Sequence, residues 1–176
     1  MSKMTFQSKD DNLKALDPSN KFQIDNIANL HIELLPESMP SRFGPIFLKN
    51  FYLSILPKYN LLNGFTYKIN DRYAGFTLFT RKPNKFIYQG IFKRPFYFFY
   101  VLFQMIIHKP TIIFELFKAL KNNNLNDEKI IPNKTGQFLT FGVLEKHLSY
   151  KNQYGNRIPN ILYDEMINWF IKNNYL

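Results

Sequence analysis

Hydrophobic positions change period along this chain, and each change marks an element. Phe22, Ile24, Ile27, Ala28, Leu30, His31, Leu34 and Leu35 fall on one face at helical spacing. Asp17-Pro18-Ser19 predicts the start of that helix, and Pro36 and Pro40 predict its end. A second helix is predicted over residues 46–56, opened by Gly44-Pro45 and closed by Pro57, with Phe47, Leu48, Phe51 and Ile55 on its apolar side. The pattern then shifts to β-branched and aromatic runs at residues 64–69 and 73–80, separated by Asn70-Asp71-Arg72, which predicts a hairpin. Gly75 inside the second run predicts a bulge or a close backbone approach. A short strand is expected at residues 12–16, after a frayed start.

Residues 91–120 are the most apolar stretch, with Phe96-Tyr97-Phe98-Phe99-Tyr100-Val101-Leu102-Phe103 at its centre. His108-Lys109-Pro110 interrupts it, and residues 111–120 resume as a shorter helix. The uninterrupted run falls short of the roughly 20 apolar residues that cross a bilayer. It therefore reads as a buried helix, an interfacial one or a partner-binding surface. Residues 121–134 are Asn-rich and polar and read as a loop. A strand follows at residues 136–143, then a loop at 150–157, then a helix from Ile158 to about Asn174. That helix carries Ile158, Ile161, Leu162, Met166, Trp169 and Phe170 as an apolar stripe.

A length of 176 residues fits one domain, and 45% apolar residues supply a core. Without cysteine there is neither a disulfide framework nor a thiol nucleophile. The first 17 residues are polar and lack the apolar centre of a signal peptide. A reducing, cytoplasmic setting is compatible with both. The net charge of +10 favours anionic partners, or else reflects a Lys- and Asn-rich composition. The basic residues are scattered, so no nucleic-acid arm is expected. No His/Asp/Glu spacing resembles a metal site, and no Gly-x-Ser-x-Gly elbow surrounds Ser149.

The C-terminal strand, loop and helix hold the one phosphate cradle the sequence suggests. Gly155 lets backbone N–H groups approach an anion, and the helix start after it adds unpaired N–H groups and a positive dipole end. Lys151 and Arg157 flank the turn.

The order strand, two helices, hairpin, helical insert, strand, loop, helix resembles the GNAT superfamily of acetyl-CoA-dependent N-acetyltransferases. Ile27-Ala28-Asn29-Leu30-His31 is similar to the family's first helix. Asn70-Asp71-Arg72-Tyr73-Ala74-Gly75-Phe76 resembles its turn between strands two and three, and Leu139-Thr140-Phe141-Gly142-Val143 resembles strand four. Arg94-Pro95 and Lys109-Pro110 resemble the breaks in a subset with two apolar helices before strand four, often associated with cell-surface sugar biosynthesis. The resemblance covers residues from about Asn20 onward.

That resemblance implies an α/β fold: a mixed central sheet with helices on both faces, and strand four central. It implies acetyl-CoA as co-substrate and an amine acceptor, an amino sugar among the candidates. The backbone of Phe141, Gly142 and Val143 would meet the pantetheine arm and supply oxyanion donors. Lys151, Gln153, Tyr154, Gly155, Asn156 and Arg157 would hold the pyrophosphate. Glu145, His147 and Glu33 are the candidates to take the amine proton. His31, on the apolar face of its helix, reads as a buried structural histidine. The loop keeps one glycine where the family usually has two, and the chain stops after the final helix, where the family continues with a fifth strand. Two other readings stay open. One is an impaired remnant of the fold that acts as a binding module. The other is a peripheral membrane protein whose aromatic insert meets lipid at the inner face of the membrane. The edge beside strand four, if uncovered, invites self-association.

Overall fold

The computed structural model of the chain describes residues 10–83, 85–112, 114 and 136–175. Strand β1 (Leu13–Ala15) leads into helix α1 (Lys21–Leu34). Asn20, not the Asp17-Pro18-Ser19 turn, caps α1: its side-chain oxygen accepts from Gln23 N at 3.0 Å, while Asp17 holds the turn before it. Gln23 ties the helix to the sheet. Its Nε2 donates to Ala15 O at 3.1 Å and to Thr66 Oγ1 at 2.9 Å.

The expected single second helix is instead a broken one. It comprises α2 (Met39–Arg42), α3 (Gly44–Phe47), a π-helical stretch (Leu48–Tyr52) and α4 (Ile55–Lys58). Pro57 does not close a helix. It sits in the first turn of α4, where its missing N–H would have had no helical partner anyway. Pro40 likewise opens α2.

Strands β2 (Asn63–Ile69) and β3 (Arg72–Thr80) form the expected hairpin. Asn70 and Asp71 both take positive φ, 48° and 62°, as a two-residue turn between right-twisted strands demands. A register shift leaves Ala74 as the extra residue beside Gly75, so the expected bulge is present. Two helices follow, α5 (Phe86–Lys93) and α6 (Pro95–His108), broken at Arg94-Pro95 and ended before Lys109-Pro110. The continuation expected over residues 115–120, and the loop over 121–134, lie outside the described residues. Strand β4 (Gln137–Val143), a single 3-10 turn (Glu145–His147) and helix α7 (Ile158–Lys172) complete the order.

The sheet runs β1-β2-β3-β4, and every pairing is antiparallel. Helices cover both faces. On one, α1 packs on the sheet over Phe76, with α3 and the π-helical stretch beside it and α6 packed on those two. On the other, α7 packs over Phe65, Phe79 and Val143. The broad α/β arrangement is as expected, but two expectations are corrected. Among the described residues the sheet is antiparallel rather than mixed, and β4 lies at its edge rather than its centre. The apolar run of β4 suggested cover on both faces. Instead α7 crosses β2 and β3, so cover along β4 falls off from buried Val143 to Phe138, which is 49% exposed.

His31 is fully buried between sheet and helices, stacked on Phe76 with ring centroids 5.5 Å apart. Its Nδ1 lies 2.9 Å from Ser41 Oγ, and its Nε2 has no hydrogen-bond partner among the described residues. Burial pulls its pKa down to about 4, so the folded chain holds it neutral. The unfolded chain protonates it near pH 6.5, and its contribution to stability is present above that value and lost as pH falls toward 4. The loss is on the order of 3 kcal/mol. Denaturant unfolding at pH 7 and pH 5 checks this: the parent weakens at the lower pH, and His31→Phe removes most of that slope.

Candidate functional site

Three features frame the candidate site: among the described residues an open edge of β4, a groove between β4 and α7, and a cationic turn ahead of α7. Among the described residues, β4 pairs only with β3. Leu144 N donates to Ala74 O at 2.9 Å, and Gly142 lies opposite Phe76. In an antiparallel ladder the inward and outward backbone groups alternate. Gly142 therefore directs its N–H and C=O toward β3, while Phe141 and Val143 direct theirs to the open edge. Of the three residues expected to supply strand-four donors, Phe141 and Val143 have the geometry and Gly142 does not. Gly142 has a different role: a Cβ there would lie 2.8 Å from Leu34 Cδ1, so its absence lets the last turn of α1 close onto β4.

That contact also locates the candidate bases. Glu33 is exposed in the last turn of α1, next to Leu34. Glu145 and His147 sit in the 3-10 turn that leaves β4, Glu145 exposed and His147 half-buried. Burial, then the charge of Lys146, pulls the pKa of His147 below its usual value, which favours the neutral, proton-accepting imidazole. Glu145 and His147 thus follow the C-terminal end of β4 directly, while Glu33 neighbours the residue that packs on Gly142. Ser41, 10 residues from His31 in sequence, pairs with it in the core rather than at this end.

A groove of about 780 Å³ runs between β4 and α7, lined among others by Phe138, Phe141, Asn160, Tyr163 and Met166. Its walls are mainly apolar, and the first turn of α7 forms part of them.

The loop before α7 departs from the expected cradle. Gly155 does take positive φ, +80°, as a tight turn requires. But the N–H groups of Tyr154 and Asn156 donate to Asn152 Oδ1 at 3.0 and 2.9 Å, and that of Gly155 donates to Asn152 O at 2.9 Å. Those amides hold the loop's own shape. Gln153, also expected to hold pyrophosphate, is exposed in the turn.

The cations are better placed. Lys151 and Arg157 face each other across an antiparallel bridge, both exposed. Like charges directly opposite one another repel. Neither makes an ion pair among the described residues, and Arg157 is the N-cap of α7. An anion between them would relieve the repulsion and meet the positive end of the helix.

Sequence reading missed what anchors this loop. Asp10 Oδ2 accepts from Asn152 Nδ2 at 2.8 Å and from Tyr67 Oη at 2.9 Å, and Asp10 Oδ1 accepts from Asn12 N at 3.0 Å. Burial alone would raise the Asp10 pKa, but hydrogen bonds from Asn152, Asn12 and Tyr67 outweigh it and hold the carboxyl below its usual value. Nothing in the local pattern of a frayed N-terminus signalled a contact spanning 142 residues.

Among the described residues, no three His, Asp or Glu side chains gather as a metal site. No family model, curated protein or solved structure matches the chain.

Asn152→Ala removes the acceptor for two loop amides and a donor to Asp10. Each net bond contributes about 1 kcal/mol and a buried orphan costs about 1–3 kcal/mol, so a loss of roughly 2–4 kcal/mol is expected in denaturant unfolding. Asn152→Asp keeps the acceptor but sets a second carboxylate against Asp10, and it is expected to destabilise at pH 7 and recover partly in acid.

Proposed function

We propose that the chain is an N-acyltransferase of the GNAT kind that takes acetyl-CoA and an amine acceptor. The observation that carries this reading is the pair of outward-facing backbone units, Phe141 and Val143, on the open edge of β4 beside the groove. A pantetheine arm is an extended chain with two amides, and an open strand edge offers it the same N–H and C=O partners that another strand would use. The groove under α7 accepts the thin apolar stretches of that arm. The first turn of α7 lines the groove, Arg157 caps that helix, and the pair Lys151 and Arg157 would meet the phosphates.

Two further observations support the reading. The order of elements, strand, helices, hairpin, helical insert, strand, loop and helix, accords with the resemblance carried by the sequence. Glu145 and His147 follow the end of β4 that carries the outward amides.

The chemistry then follows. A neutral amine attacks the thioester carbonyl carbon. Negative charge develops on the carbonyl oxygen, and an outward N–H of Phe141 or Val143 stabilises it. The C–S bond breaks as the amide forms. The amine proton passes to His147 or Glu145, directly or through water, and the departing thiolate takes a proton from solvent or from that base. Glu33, across from this turn on α1, is the alternative acceptor for the proton. The acceptor class is an amine, with amino sugars the first to try.

Titration calorimetry with CoA tests the reading. The parent is expected to bind. Asn160→Trp fills the groove from the exposed side of α7 and is expected to weaken binding by about tenfold or more, roughly 1.4 kcal/mol. Lys151→Ala with Arg157→Ala is expected to weaken it several-fold, and less so at high salt. A parent that does not bind CoA, or an Asn160→Trp variant that binds like the parent, refutes the assignment. Because the chain has no cysteine, the CoA thiol freed by acetyl transfer to an added amino sugar can be read without background from the protein.

A further inference from the structure

Helix α6 is apolar all round, yet it lies on the surface. Its inner side carries Val101 and Met105, both buried, and Phe98, whose ring meets Phe51 at 5.0 Å. Its outer side carries Phe96, Phe99, Tyr100, Phe103 and Ile107 at helical spacing, and Phe92 extends the patch onto α5. Phe96 is 89% exposed, Phe92 83% and Phe103 62%. A contiguous patch of large rings in water is uncommon on a monomeric protein and marks a covered surface.

Charge decides what covers it. Residues 81–114 contain no Asp or Glu, while Lys82, Lys85, Lys93, Arg94 and Lys109 lie around the two helices. A twofold contact through this patch would set the same cations of two copies against each other, on chains of net charge +10 each. An anionic lipid surface instead neutralises them while its acyl boundary takes up the rings. Crossing is not an option, for no helix among the described residues is long and apolar enough. The 14 residues of α6 reach about 21 Å, against a hydrocarbon core of about 30 Å. Aromatic rings on one side, cations at the borders and a helix too short to span describe a segment that lies in the interface plane.

We propose that the outer face of α5 and α6 docks the protein on anionic lipid bilayers, Phe92, Phe96, Phe99 and Phe103 entering the interface and Lys85, Lys93, Arg94 and Lys109 meeting the headgroups. This goes beyond the acyltransferase reading and stands without it, since neither the groove nor the cationic turn takes part. The corner of the patch is held in shape by Arg94 Nε, which donates to Tyr59 Oη at 2.9 Å.

Flotation of the full chain with vesicles tests the proposal, using phosphatidylcholine alone and phosphatidylcholine mixed with phosphatidylglycerol, at low and physiological salt. The chain is expected to float with the phosphatidylglycerol vesicles, and far less with the neutral ones. Phe96→Ser with Phe103→Ser, both exposed, is expected to cut the bound fraction by about tenfold or more without lowering the melting temperature. Lys85→Glu with Lys93→Glu is expected to cut it similarly while leaving every aromatic ring in place. Three results would overturn the proposal. The parent stays unbound with phosphatidylglycerol vesicles at low salt; the serine variant, still folded, floats as the parent does; or sedimentation shows concentration-dependent self-association that the serine variant abolishes, with no flotation, which makes a second copy the occupant.

Discussion

Strand β3 is the constraint on which the rest depends. All residues from Tyr73 to Thr80 are buried. Such a strand needs cover on both faces and a partner at both edges, and the chain supplies each. Phe76 and Leu78 face one helical layer, while Ala74 and Phe79 face α7. Its polar members are satisfied within these layers: Thr80 Oγ1 donates to Leu61 O at 2.6 Å, and Thr77 Oγ1 reaches Met166 Sδ at 3.8 Å. With β2 on one side, β4 must take the other. That leaves the far side of β4 as an edge of the sheet.

A second constraint fixes the far loop. Asp10 lies before β1, Tyr67 on β2 and Asn152 after β4, so one buried carboxylate joins the chain's start, the sheet and the loop ahead of α7. Asn152 spends its side-chain oxygen on the loop's amides and its nitrogen on Asp10. The loop is therefore held from within, and what it presents outward is the side chains of Lys151 and Arg157. This is why an anion site here would rest on two cations and a helix end rather than on a nest of glycine amides.

Elements with strong periods were legible in the sequence. The hairpin at Asn70-Asp71, the breaks at Arg94-Pro95 and Lys109-Pro110, and α7 with its buried Leu162, Met166 and Phe170 all follow from local pattern. The prolines between residues 36 and 57 misled, because a proline signals both the end of one helix and the first turn of the next, and only tertiary packing decides between them. The position of β4 was not legible either. Phe138-Leu139-Thr140-Phe141 is apolar enough for a central strand, but pattern says nothing of which strands α7 crosses. At the candidate site, sequence singled out a turn whose two cations, Lys151 and Arg157, the structure sets opposite each other. It could not see Asp10, because a contact spanning the chain leaves no local trace.

The exposed half of β4 has a cost. A strand that, among the described residues, pairs on one side only and exposes Phe138 is a surface for unwanted pairing, and proteins usually blunt such edges with charge or bulges. Here a register shift makes Leu139 the extra residue of β4, twisting the strand midway and separating the exposed Gln137 and Phe138 from the covered Gly142 and Val143. The bulge limits the length of edge that another strand could match in register. It leaves the stretch at Phe141 and Val143 regular, next to the groove and to the α1 turn that closes on Gly142. A short regular edge between a bulge and a packed helix end offers little length for another strand to pair with, so the same packing that covers Gly142 also blunts the edge.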